Sequence, residues 1–132
     1  MRVLHAGTAE GPVQMLAEPL SFWGAYDPRT GIIIDVRHPQ CGACLMGTIL
    51  LMRESRGSGS APGSLAEAIR LGTAPAAIIL VEPDINLAVG AAVAHSLYGK
   101  SCPVLAVAET EFMMLLSAGR LRIFDDGTIL RQ

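Results

Sequence analysis

The sequence predicts an α/β layered domain, and three observations carry that expectation. The first is alternation in the second half. "AAIILV" (76–81) and "PVLAVA" (103–108) are short continuous apolar runs, as strands buried on both faces require. Between and after them, "DINLAVGAAVAHSLYG" (84–99) and "ETEFMMLLSAG" (109–119) read as helices. Strand–helix–strand–helix order implies parallel strands joined by helical crossovers. The second is a front half of short strands and turns. The third is length: 132 residues suffice for one domain with a substantial core.

Each element has a local reason. Val13 to Ala17 and Gly31 to Val36 are strand candidates, with "DPRTG" (27–31) as the turn between them. "MGTILLM" (46–52) reads as a buried strand. The next helix ends near Leu71, where Gly72 stops it. Ser64 and Glu67 form the pattern of a capping box, so this helix is expected to start at about Ser64. Asp84 is the expected N-cap of the following helix and Gly99 its stop. "RLRIFDDGTILRQ" (120–132) reads as a closing hairpin with an Asp-Gly turn.

Composition narrows the function. Hydrophobic residues make up 51% and charged residues 17%. Each apolar run is interrupted before membrane-spanning length, so no membrane span is expected, and the excess apolarity suggests a surface that a partner covers. The start, Met1 to His5, lacks the long apolar stretch of a signal peptide. A net charge of -2 advertises neither nucleic acid nor an anionic membrane. The three cysteines, Cys41, Cys44 and Cys102, are an odd count that argues for reduced thiols in the cytoplasm.

The stretch that carries chemistry is "RESRGSGSAPGSLAEAIRLG" (53–72). It leads from a strand into a helix N-terminus, where free N–H groups and the helix dipole favour anions. Gly57, Gly59 and Gly63 allow backbone to approach a ligand. A hydroxyl is too weak a base unaided, and N–H groups with a nearby cation stabilise its alkoxide. Arg56, two residues before Ser58, is placed to be that cation or to hold a substrate carboxylate. From composition alone a plain surface loop remains the competing reading.

Longer stretches then resemble a known family. "PLSFWGAYDPRTGIIIDVRHP" (19–39), "SRGSGS" (55–60), "GTAPAAIILVEPD" (72–84) and "GAAVAHSLYGKSCPV" (90–104) look like the small, swivelling subunit of the aconitase X family, in order through most of the chain. The resemblance implies one swivel domain over residues 1–132. Its fold would be the swivelling β/β/α fold of the mobile domain of the aconitase superfamily. It implies a hydro-lyase (dehydratase) active only with a large catalytic subunit. The iron–sulfur cluster would lie in that partner, with none bound by this chain alone. A chain of this length resembles the two-subunit type. The implied substrate is a small carboxylate: cis-3-hydroxy-L-proline first, mevalonate 5-phosphate as the alternative. Matched on Arg-Gly-Ser, the resemblance implies Ser58 as the proton-abstracting base, with Ser60 the fallback, and Arg56, Gly57, Gly59 and Ser60 as substrate-binding residues. The phosphomevalonate type usually reads Gly-Ser-Thr-Val-Gly-Ser here, whereas this loop is "GSGSAPGS", which favours the hydroxyproline substrate.

Other residues compete for a role. "CGAC" (41–44) is a Cys-x-x-Cys, but two cysteines cannot complete a tetrahedral metal site. Packed thiols are the expectation, and a metal-carrier or other non-catalytic binding module is the alternative function. His38 is expected to be a structural or interface histidine and His95 a satisfied core or interface one, with Met113 and Met114 as core filling. Trp23 is read as a subunit-interface anchor or a core residue. Capping and solvation account for Glu82 and Asp84.

Overall fold

The computed structural model describes residues 1–56 and 59–132. In chain order the strands and helices are β1 (Arg2–His5), β2 (Ala9–Met15), β3 (Tyr26–Asp27), β4 (Ile32–Ile33), β5 (Ile49–Leu51), α1 (Ala61–Leu71), β6 (Ala77–Leu80), α2 (Ile85–Tyr98), β7 (Val104–Ala106), α3 (Glu109–Leu116), β8 (Arg120–Ile123) and β9 (Ile129–Arg131). One sheet runs β1-β7-β6-β5-β2-β8-β9, and β3 pairs with β4 apart from it. The pairs β2–β5, β5–β6 and β6–β7 are parallel. The antiparallel strands β1 and β8–β9 flank them.

The continuous apolar runs are explained by burial on both faces. Leu50, Ile78, Leu80 and Val104 point to the side covered by α1 and α2, where Leu65, Ile69, Leu87 and Ala91 meet them. Ile49, Leu51, Ile79 and Leu105 point to the other side, against Phe112 and Leu115 of α3. The front half packs on the first side through Leu16, Leu20, Phe22, Tyr26, Ile33 and Leu45. Its anchor is Thr73: the Tyr26 hydroxyl donates to the Thr73 carbonyl at 3.1 Å, and the Thr73 hydroxyl donates to the Pro28 carbonyl. Burial pushes the Tyr26 phenol well above its usual value, so it remains a neutral donor.

The second-half alternation, the closing hairpin and the stops at Gly72 and Gly99 stand where the sequence puts them. Three readings change. Helix α1 begins at Ala61, three residues before Ser64, and Ser60 takes the N-cap position. Pro62 in the first turn sets the helix off early, because its missing N–H and fixed φ suit that position. Ser64 is then a buried residue inside the helix, not its cap. The strand expected at Gly31 to Val36 shrinks to Ile32–Ile33, as the chain turns at Asp35, whose carboxylate accepts from Arg37 N at 3.0 Å. Strand β2 starts earlier than Val13, despite Pro12. It pairs with β8 through residues 9–12 and with β5 only from Val13 onward, so Pro12 sits at the change of partner.

Helices α1 and α2 approach closely because of Gly90. A Cβ there would stand 2.8 Å from the Pro62 carbonyl oxygen and 3.0 Å from its Cα. Gly63 on α1 faces open space instead. Gly90→Ala is therefore expected to cost about 1–3 kcal/mol by overpacking, despite alanine's better helix propensity. Gly63→Ala is expected to stabilise by roughly 0.5 kcal/mol. Urea unfolding of both variants checks this, and equal effects would contradict the packing account.

Candidate active-site loop and its two clefts

All parallel strands point their C-terminal ends to one edge of the sheet, which is where ligands bind in such sheets. Here β5 ends in Met52 to Arg56, and β6 ends in Val81 to Asp84. The Arg53 carbonyl accepts from Val81 N at 3.0 Å and Glu82 N at 2.9 Å, tying the two strand exits together. The Arg53 side chain ion-pairs with Glu109 at 2.9 Å and lies 5.0 Å from the centre of the Phe112 ring.

A second tie runs through side chains. Ser55 Oγ donates to Asp84 Oδ2, while Asp84 Oδ1 accepts from Asn86 N at 2.8 Å. One carboxylate thus caps α2 and holds the stem of the Gly-Ser loop. The capping role of Asp84 was legible in the sequence. Ser55 was not, because nothing separates one serine from its neighbours in a Ser/Gly-rich run.

Consecutive residues of this stem line different clefts. Glu54 and Ser55 line one of about 310 Å³, closed by Glu82, Pro83, Asp84, Ile85 and Asn86. Arg56 lines another of about 460 Å³, with Glu18, Trp23, Asp35, Arg37 and His38 among its walls. The first is acidic. In the second, the Arg37 main-chain N–H foremost, with the Arg37 and Arg56 guanidinium groups, holds the Asp35 carboxyl below its usual range. Arg37 ion-pairs with Asp35 at 3.4 Å, whereas Arg56 has no ion pair among the described residues.

Of the residues singled out in the sequence, Ser58 and Gly57 lie outside the described residues. Arg56 is exposed and stands at the mouth of the loop. Its N–H donates to the Leu20 carbonyl at 3.1 Å. Gly59 and Ser60 lead into α1, and a Cβ at Gly59 would meet nothing within 4 Å. His38 is buried, and both ring nitrogens are engaged: Nε2 with the Glu18 carbonyl at 3.1 Å, and Nδ1 with Gln40 N at 3.0 Å. These partners assign the neutral Nε2–H form, a structural role. His95 lies edge-on to His5 at 5.5 Å and is exposed, so it is not a core residue. Trp23 is 61% exposed, which removes the core alternative for it. Met113 and Met114 are also exposed, contrary to the core-filling expectation, because α3 turns only Phe112 and Leu115 inward.

The thiols separate by environment. Cys102 is buried, and burial pushes it up to about 12. Cys41 and Cys44 are exposed, contrary to the packed-thiol expectation, because the turn around Gly42 lies on the surface. Among the described residues no group of three or more His, Cys, Asp or Glu side chains is placed to hold a metal ion.

The comparisons with known proteins converge on one family. The aconitase X swivel domain family matches residues 1–131. The chain belongs to that family. It is 45% identical over 108 residues to the cis-3-hydroxy-L-proline dehydratase of Pseudomonas aeruginosa, which covers 82% of this chain and 19% of that protein. This chain thus spans about a fifth of the length of that relative. It is 40% identical over 93 residues to the phosphomevalonate dehydratase small subunit of Methanothermobacter thermautotrophicus, covering 70% of this chain and 71% of that subunit. The crystal structure of Thermococcus kodakaraensis aconitase X in its holo-form superposes with a TM-score of 0.81 at 28% identity, over 98% of this chain and 93% of that one. The swivelling α/β fold expected from the sequence is therefore the fold of this protein.

Two outcomes follow from the geometry. Asp84→Ala is expected to lower stability by about 1 kcal/mol through loss of the cap. Ser55→Ala should be non-additive with it, because both remove the same bond. A urea double-mutant cycle measures this, and strict additivity would deny the tie. In thiol labelling of the native protein near neutral pH, Cys41 and Cys44 should react and Cys102 should react only on unfolding. Fast labelling of Cys102 would contradict its environment.

Proposed function

We propose that this chain is the small, mobile component of an aconitase X-type hydro-lyase that dehydrates cis-3-hydroxy-L-proline, with an active site completed by a larger catalytic chain. The observation that carries the reading is the loop's setting within a swivel domain of this family. It leaves the C-terminal end of a parallel strand, has an unpaired arginine at its mouth, and runs directly into the N-terminus of α1. Identity is higher to the Pseudomonas hydroxyproline enzyme than to the archaeal small subunit, which supports that substrate.

In the reading, the substrate carboxylate is held by the Arg56 guanidinium and by main-chain N–H groups at Gly59 and Ser60. Ser58 Oγ takes the Cα proton. The C3 hydroxyl departs with its bonding electrons, a Cα–C3 double bond forms, and the net loss is one water. Arg56 and the dipole of α1 favour negative charge both on the serine oxygen and on the carboxylate as the Cα–H bond breaks. The described residues of this chain do not fit an iron–sulfur cluster. The proposed place for the cluster is the larger chain, where it would supply Lewis-acid chemistry. A protein working in such a complex would be cytoplasmic, and no helix among the described residues is long and apolar enough to cross a membrane.

Mevalonate 5-phosphate is the second substrate to test, because the match covers most of the archaeal small subunit's length. The test is steady-state kinetics of the complex with its larger chain on both substrates. Alone, this chain should be inactive, since a base without the rest of its cage has nothing positioned to act on. Ser58→Ala in the complex should lower kcat by about two to four orders of magnitude, with substrate binding largely kept. Ser60→Ala should cost much less. A dead Ser60→Ala beside an active Ser58→Ala would shift the base by two residues. Full activity in both would leave the loop as a connector.

A further inference from the structure

Helix α2 is apolar on both sides. Its inner side, Leu87, Ala88, Gly90, Ala91 and Ala94, is buried against α1 and the sheet. Its outer side shows Ile85 at 60%, Val89 at 45%, Val93 at 41% and Leu97 at 65% exposure. These residues follow one another at four-residue spacing, so they form a single ridge roughly 18 Å long. None of the fourteen residues of α2 is Asp, Glu, Lys or Arg. His95 and Ser96 are exposed on this helix, yet an uncharged helix with an apolar ridge on its outer side is normally covered there too.

The ridge does not end at random. Its first residue, Ile85, is part of the wall of the acidic cleft beside the loop stem. Glu54 and Glu82 line the same cleft, and neither has an ion-pair partner among the described residues. An apolar ridge continuous with two unpaired carboxylates calls for a partner with an apolar groove and basic groups at one end.

We infer that the outer face of α2, from Ile85 to Leu97, is the surface on which the larger catalytic chain docks, with Lys or Arg side chains of that chain meeting Glu54 and Glu82. This rests on the proposed function, which requires a second chain beside the loop. Two observations favour that occupant over a second copy of this chain. The ridge starts at the stem of the very loop the larger chain must complete. In the Pseudomonas relative, about four-fifths of the same polypeptide lies outside the matched domain.

The test is binding of purified chain to the purified larger aconitase X chain of the same organism, by calorimetry and light scattering. Val93→Glu and Leu97→Glu are expected to weaken affinity at least about thirtyfold, as loss of a hot-spot contact does. Glu82→Lys should weaken it and flatten or reverse the loss of affinity with added salt seen for wild type. Met114→Glu on the exposed side of α3 should change it less than about threefold. Circular dichroism confirms the fold of each variant. Leu97→Ser supplies the same readout if Val93→Glu fails to fold. A complex that tolerates both α2 variants overturns this surface but leaves the proposed function standing. Absence of any complex, with no activity on either substrate, overturns both. Self-association of the wild type that Val93→Glu abolishes, without binding of the larger chain, assigns the face to a second copy and overturns the inference.

Discussion

The parallel pairing of β5 with β6 is the constraint on which the rest depends. Parallel neighbours must be joined by a crossover, so the chain leaving β5 has to climb over the sheet through α1 before it re-enters at β6. Both strands then finish at the same edge. There the Arg53 carbonyl accepts two N–H groups from the exit of β6, and Ser55 reaches Asp84. The Gly-Ser loop inherits a fixed stem at one end and a helix N-terminus at the other. A loop built this way has both of its ends placed by the sheet and the helix.

The same pairing dictates composition. Strands with both faces buried must be apolar throughout, which accounts for Ile49 to Leu51 and Ala77 to Leu80. The two faces are closed differently: by α1, α2 and the front half on one side, by α3 and the closing hairpin on the other. Apolarity beyond that need appears on the outer side of α2. Core demand explains Leu87 and Ala91, but not Ile85 or Leu97.

What could be read from the sequence follows how local each cause is. The αL stops at Gly72 and Gly99, the cap at Asp84 and the turn at Gly127 are set by neighbouring residues, and all were legible. The start of α1 was missed because two local signals compete: Ser64 with Glu67 offers a capping box, and Pro62 offers an earlier first turn. The structure takes the earlier start offered by Pro62, and Ser64 ends buried inside the helix. Residues 9–12 of β2 were missed because Gly11-Pro12 reads as a breaker. In the fold, Gly11 lies against the Gly47 carbonyl and Pro12 sits where the strand changes partner. Strand β1 was missed because four residues at an edge carry no pattern of their own. Within the candidate site, the loop was legible from its residues. The Ser55–Asp84 tie, spanning 29 positions, was not.

The step from Ser55 to Arg56 also divides charge. On one side of the stem stand Glu54, Glu82 and Asp84 without a basic residue in the cleft lining; on the other, Arg37 and Arg56 stand with Asp35 and Glu18. On the proposed reading, an anionic substrate approaching this edge is repelled by the first group and drawn to Arg56 in the second. Arg37 ion-pairs with Asp35, whereas Arg56 makes no ion pair among the described residues. Since Arg56 is held by the Leu20 carbonyl through its own N–H, its main chain is anchored while its guanidinium stays exposed. The acidic side then serves a different purpose. Carboxylates flanked by the apolar ridge of α2 are poor company for a substrate anion and good company for a basic protein surface. On the proposed reading, the stem separates two kinds of recognition by one residue: a small anion at Arg56 on one side, a protein on the glutamate side.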